Sequence, residues 1–262
     1  MRELFEIPQG LSHPDPTRRA QIQMKRPLPK RFYKDVAVVE GDEGYIIQLD
    51  GRPVRTPAKN PLTAPTAALA DLIGAEWEAQ GEHIDPATMP VTKLLNTAID
   101  GVASDPQAVF DDMLRFSSSD LLCYRADAPE ELVERQSQRW DPIIEWAAAD
   151  LGARFILIEG IMPQDQPREA TNAFAATLQK YNTPIELACL HTMTTLTGSA
   201  ILALAFAVGR VPCEEAWSLS HLDEDWTDEH WGTDPEAQSR RARRQEEFKA
   251  AAAAFEAARP GI

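Results

Sequence analysis

The sequence predicts an α+β protein, in which a small N-terminal α/β domain with an antiparallel hairpin sheet is followed by an all-helical bundle. Two alternating apolar runs, DVAVVEG and YIIQLD, read as strands. Asp50-Gly51 then supplies a two-residue hairpin turn, because glycine accepts a positive φ there. Near Met89-Pro90 the pattern shifts from strand to helix, and the chain beyond is mostly helical. These observations divide the chain into an irregular basic arm at 1–30, an α/β domain at 31–90 and a helical domain at 91–262. With 262 residues and 44% apolar side chains, a sizeable core is within reach.

The elements follow in order. The return strand RPVRTP carries Pro53 and Pro57, which cannot donate to a ladder, so it should be short or an edge. A helix begins at Pro65 and places Leu69, Leu72, Ile73 and Trp77 on one face. GEHIDPATMP breaks it. VTKLLNTAIDGV and DPQAVFDDMLRFSSSD are the next two helices, with Asp105-Pro106 as a start signal. A longer helix runs from Ala128-Pro129 to Gly152, with Asp141-Pro142 as an expected kink. RFILIEG is extended. Helices are then expected at 168–181, 184–209, 213–230 and 235–258. The uncharged stretch at 187–209 is long enough for a bilayer, but four threonines, a histidine and Gly198-Ser199 interrupt it. A buried central helix is the expectation there.

Charge and cysteine usage exclude several classes. The formal net charge is −15, which disfavours nucleic acid and anionic membranes as bulk partners. The first 34 residues nevertheless carry eight Lys/Arg against three Asp/Glu, so an adaptor that touches RNA through the basic arm is one reading to test. Cys123, Cys189 and Cys213 form no CxxC pair, which points away from zinc and disulfides and towards a reducing, cytoplasmic setting. The N-terminus lacks the apolar run of a secretory signal.

Two clusters stand out. HLDEDWTDEHWGTDPE, at 221–236, combines acidic residues with Trp226 and Trp231. Aromatic residues beside charges suit a protein-binding hot spot, while a solvated acidic helix face is the plainer alternative. His221, Asp225 and Glu229 share a four-residue spacing and could instead serve a metal-assisted hydrolase. RRARR, at 240–244, reads as a salt-bridge-laced helix surface beside Asp234, Glu246 and Glu247. His83 and His191 read as structural, with Thr195 one turn from His191. No GxSxG, GKS/T or glycine-rich strand-to-helix turn is present, so nothing argues positively for an enzyme or for a cofactor.

The runs RFYKDVAVV, YIIQLDGRPVRTPAKNPLTAP and LADLIGAEWEAQGEHIDPATMPVTKLLNTAID resemble the assembly chaperone family that binds the alpha subunit of the F-type ATP synthase. SSSDLLCYRAD, RQSQRWDPIIEW, GSAILALAFAVGR and WGTDPEAQSRR follow in matching order, so the resemblance spans about 31–244. It is similar to alphaproteobacterial members. The resemblance implies a non-catalytic, ATP-independent monomer without cofactors or membrane insertion, whose client is the unassembled alpha subunit. It also implies that Glu224 matches the family's acidic position, whereas Thr227 stands where members commonly carry Gln. The expected client contacts are Glu224, Asp225, Trp226, Trp231 and Arg240, with Arg52 and Lys59 on the stiff, proline-framed hairpin.

Overall fold

A computed structural model describes residues 28–160 and 164–259; most of the basic arm lies outside them. Strands β1 (Val36–Gly41) and β2 (Gly44–Leu49) pair antiparallel in full register, from Val36↔Leu49 to Gly41↔Gly44. On the far edge of β2 sit two short strands, β3 (Arg52–Pro53) and β4 (Thr63–Ala64). The turn between β2 and β3 has positive φ at both Asp50 (49°) and Gly51 (75°), as a two-residue hairpin that follows the strand twist requires. The Asp50 carboxylate accepts from the Lys34 and Asp35 amides (3.0 and 2.9 Å), and these two bonds hold its pKa below the ordinary carboxyl range.

Helix α1 (Ala67–Glu78) covers this sheet. Thr66 caps it, accepting from the Leu69 amide at 3.2 Å, two residues later than Pro65 suggested. Helix α2 (Pro90–Asp100) is tied to α1 through Glu76, whose carboxylate accepts the Val91 and Thr92 amides (2.7 and 2.8 Å) and the Thr92 hydroxyl (2.6 Å). That is a negative group on the positive end of a helix. Helix α3 (Pro106–Ser118) starts at the Asp105 cap, and α4 runs uninterrupted from Glu130 to Asp150 through Pro142.

The extended run at 154–160 contributes β6 (Ile158–Glu159), which pairs parallel with β5 (Tyr124–Arg125). Six more helices follow: α5 (Arg168–Leu178), α6 (Pro184–Thr197), α7 (Ala200–Ala207), α8 (Cys213–Ser220), α9 (Leu222–Trp231) and α10 (Pro235–Ala257). The expected helices at 184–209 and 213–230 are therefore each two. Gly198 closes α6 in the left-handed region (φ 71°), and Ser199 opens α7 by accepting from the Leu202 amide at 3.0 Å. Among the described residues no helix is long and apolar enough to cross a membrane.

Helix α6 lies at the centre, packed by α2, α3, α7 and α10. Every residue of α7 is buried. The main core runs without a gap from Ile47 of the sheet to Ala258 beside α10. His191 on α6 finds its partner in Asp112 of α3 (2.7 Å); Thr195 instead donates to the Thr192 carbonyl (3.0 Å). Burial pushes the His191 pKa down. The cysteines are free, with Cys123 and Cys189 buried.

Candidate functional site

The acidic segment forms α9 and the start of α10, and its charges fall into two groups. The inward group is consumed by neighbouring elements. Glu229 takes a two-pronged bond from Arg135 of α4 (2.6 and 2.9 Å), which holds its pKa below the ordinary value. Asp223 accepts from Gln136 of α4 (2.8 Å), and Asp225 pairs with Arg241 of α10 (2.6 Å). His221 is buried at the junction of α8 and α9. Its Nδ1 lies 2.8 Å from the Ser220 hydroxyl and 3.0 Å from the Trp217 carbonyl, and its ring packs on Trp217 at 3.9 Å. Burial lowers its pKa.

These contacts break up the metal-ligand set on which the hydrolase alternative relied. His221, Asp225 and Glu229 turn to three different partners, and no group of three or more potential metal ligands exists among the described residues. The four-residue spacing aligned them along one helix, but each side chain is spent on holding α9 to α4, α8 and α10.

The outward group is left to solvent. Glu224 and Thr227 are exposed and Asp228 half-exposed, and all three line a cleft of about 490 Å³ between α9 and α10. Arg240, Arg241 and Arg244 form its opposite side. The only basic group within ion-pair distance of the Glu224 carboxylate, among the described residues, is His221 at 3.9 Å. Of the arginines, Arg240 pairs with Glu236 (2.7 Å) and Arg244 donates to the Leu196 carbonyl at the end of α6 (2.6 Å). The basic run is thus a laced helix surface, as its sequence context suggested.

The two tryptophans part company. Trp226 is 8% exposed and stacks on His230 (4.1 Å); it is a core anchor. Trp231 meets Trp226 edge-on (5.1 Å) yet is 72% exposed, the aromatic side chain that α9 offers to solvent. Gly232, at φ 85°, ends the helix immediately behind it.

Arg52 and Lys59 are not part of this cleft. Arg52 lines a separate cavity of about 590 Å³ with Phe32, Pro53, Arg55 and Trp77. Lys59 sits at φ 70° in a turn that Asp100 holds in place: its carboxylate accepts from the Thr56 hydroxyl (2.6 Å), the Ala58 amide (2.9 Å) and the Asn60 amide group (2.8 Å). The proline-framed loop is therefore braced against the C-terminal end of α2. Sequence reasoning missed Arg135 and Gln136, which orient α9. Both lie in RQSQRWDPIIEW, but only the fold shows which helix they face.

The α9 face combines one exposed aromatic, exposed carboxylates and a helix fixed from behind. Comparisons with known proteins give the family. The ATP12 chaperone protein family model matches residues 30–148. The mitochondrial protein atp12 of Schizosaccharomyces pombe is 25% identical over 227 residues, 82% of this chain and 78% of its own. The crystal structure of the Atu1473 protein of Agrobacterium tumefaciens superposes with a TM-score of 0.87 at 64% identity, covering 95% of this chain and 94% of that one. Atp12 from Paracoccus denitrificans superposes with a TM-score of 0.82 at 39% identity, covering 88% of this chain and 99% of the other. The chain belongs to the ATP12 chaperone family.

Proposed function

We propose that this chain is an ATP-independent chaperone that binds the unassembled alpha subunit of the F-type ATP synthase and hands it on to the growing catalytic head. The observation that carries the reading is its kinship with Atp12 of Paracoccus over nearly the whole of that protein. The physical need is plain: an unassembled subunit exposes an apolar face that its neighbour will later cover, and such faces aggregate. A competing surface must be soluble and reversible. A net charge of −15 supports the first requirement, and the charge-lined cleft between α9 and α10 supports the second.

We assign client contact to the α9 face, with Glu224 and Trp231 as the contacting groups and Arg240 on the cleft's far wall. Asp225 and Trp226 act from behind, by fixing α9. Arg52 and Lys59 belong to a second, separate surface. Release is by exchange with the incoming subunit, without nucleotide, and the protein works as a monomer in the bacterial cytoplasm. The test is co-purification from its own cytoplasm: free alpha subunit should be recovered, with little intact synthase. Recovery of no alpha from cells with verified free subunit sinks the proposal.

A further inference from the structure

The pair β5–β6 borders a cleft of about 440 Å³ that shares no lining residue with the cleft between α9 and α10. Its lining includes Arg125, Val133, Ser137, Leu157, Glu159 and Gln164. Arg125 is the unusual member. It is only 7% exposed; its Nε donates to the Leu122 carbonyl (2.8 Å) and its Nη1 to Asp141 (2.7 Å). Its Nη2 is buried and has no acceptor among the described residues. A buried guanidinium N–H without a partner is rare and costly, so an acceptor supplied from outside is favoured there.

Three further features say what that acceptor belongs to. β6 has a strand on one side only, since its sheet has just two strands among the described residues. An open sheet edge takes an extended chain. Leu157 is 46% exposed at the mouth, and Val133 gives a second apolar wall. Finally, Asp141 already balances the charge of Arg125, and Glu159 lines the same cleft. A carboxylate entering there would meet two others, whereas a neutral carbonyl oxygen would not.

We propose that this cleft binds an extended, uncharged apolar segment of a protein partner, whose main-chain carbonyl accepts the orphan Arg125 Nη2–H and whose side chains lie against Val133 and Leu157. That the segment comes from the chaperone's client rests on the function proposed above.

The probe is a short acetylated and amidated peptide of alternating Val and Thr, labelled for fluorescence anisotropy against the full chain. Removing Arg125 would endanger the fold, so the cleft is filled by Ser137→Trp or made acidic by Leu157→Asp, with melting temperature as the folding control. Wild type should bind the peptide, and each variant should bind about tenfold or more weakly. The same peptide with a central Asp should also bind about tenfold or more weakly. No binding at millimolar peptide, binding indifferent to both variants, or tighter binding of the acidic peptide overturns the cleft. Alpha co-purification is scored separately. If Ser137→Trp loses the peptide but holds alpha as wild type does, the occupant is not the client. If wild type holds no alpha, the client reading falls while the peptide result still decides the cleft.

Discussion

At the scale of single residues, acidic side chains that look alike in sequence have different roles. Glu224 projects into solvent with no arginine in ion-pair distance, so it contributes little to folding. Glu224→Lys should therefore leave the melting temperature close to wild type. It should weaken capture of the alpha subunit by about 2 kcal/mol or more, because it sets a like charge against a basic client group. Co-purification with the folded variant decides this, and normal capture or an unfolded variant would remove Glu224 from the docking face. Asp120 is the opposite case. It is wholly buried and accepts from the Ser199 hydroxyl (2.7 Å), the Ile201 amide (2.9 Å) and the Leu122 amide (3.1 Å). Burial outweighs those bonds and pushes its pKa up to about 6. Because the folded value lies above the unfolded one, the folded state holds the extra proton between about pH 4 and 6. Stability from this group is thus full below about pH 4 and falls as the pH rises through about 6, by at most about 3 kcal/mol. Denaturant melts should show wild type gaining on Asp120→Asn as the pH drops from about 7 to 4; a pH-independent difference would refute the shift. Glu224 was singled out from sequence, but the role of Asp120 was not legible there. Asp120 sits in SSSDLLCYRAD without visible distinction, because its partners lie some 80 positions away.

Among the elements, strands and turns were the more readable, because their signals are local. Asp50-Gly51 specified its hairpin through two backbone angles, and Asp105-Pro106 specified a helix start through one cap. The pairings of β4 with β2 and of β5 with β6 were not readable, since two-residue strands carry no period. The helix expected at 184–209 shows why continuous apolarity misleads. An all-buried segment has no polar face to mark where one helix stops, and only the glycine does so. At Gly198 a Cβ would meet nothing closer than the Leu121 Cβ at 3.9 Å, so space is not the constraint; φ is. Gly198→Ala should accordingly cost about 1–2 kcal/mol, the penalty of a left-handed non-glycine residue, without the larger loss that a steric clash brings. Urea unfolding measures it. A neutral substitution would mean that α6 and α7 can merge across the break.

For the whole molecule, the question is whether the sheet and the bundle fold as one unit. Sequence periodicity changes near residue 90, and this is the physical basis for dividing the chain there. The packing crosses that point in several places. Helix α1 touches both α2 and α10, Glu76 of α1 accepts the Val91 amide of α2, and the Thr66 hydroxyl donates to the Ala257 carbonyl. The main apolar cluster includes Ile47, Leu69, Leu190 and Phe255, and a smaller one holds Tyr33, Leu49, Ile84 and Met89. Opening the sheet alone would expose Leu69 and Ile73 on one side and leave α2 and α10 uncovered on the other. That cost approaches the cost of opening everything, so local opening gains little over global unfolding. The expectation is that amides of β2 around Ile47 and of α6 around Leu190 exchange with hydrogen-exchange free energies equal within about 1 kcal/mol, and that both fall in parallel as denaturant is added. Slower exchange confined to 91–262, with β2 opening at a distinctly lower free energy, would instead support two cooperative units divided after residue 90. The choice bears on the client. A single unit presents the α9 face and the Arg52 cavity at a fixed spacing, so a bound subunit that uses both must match them at once. Two units could engage them one after the other.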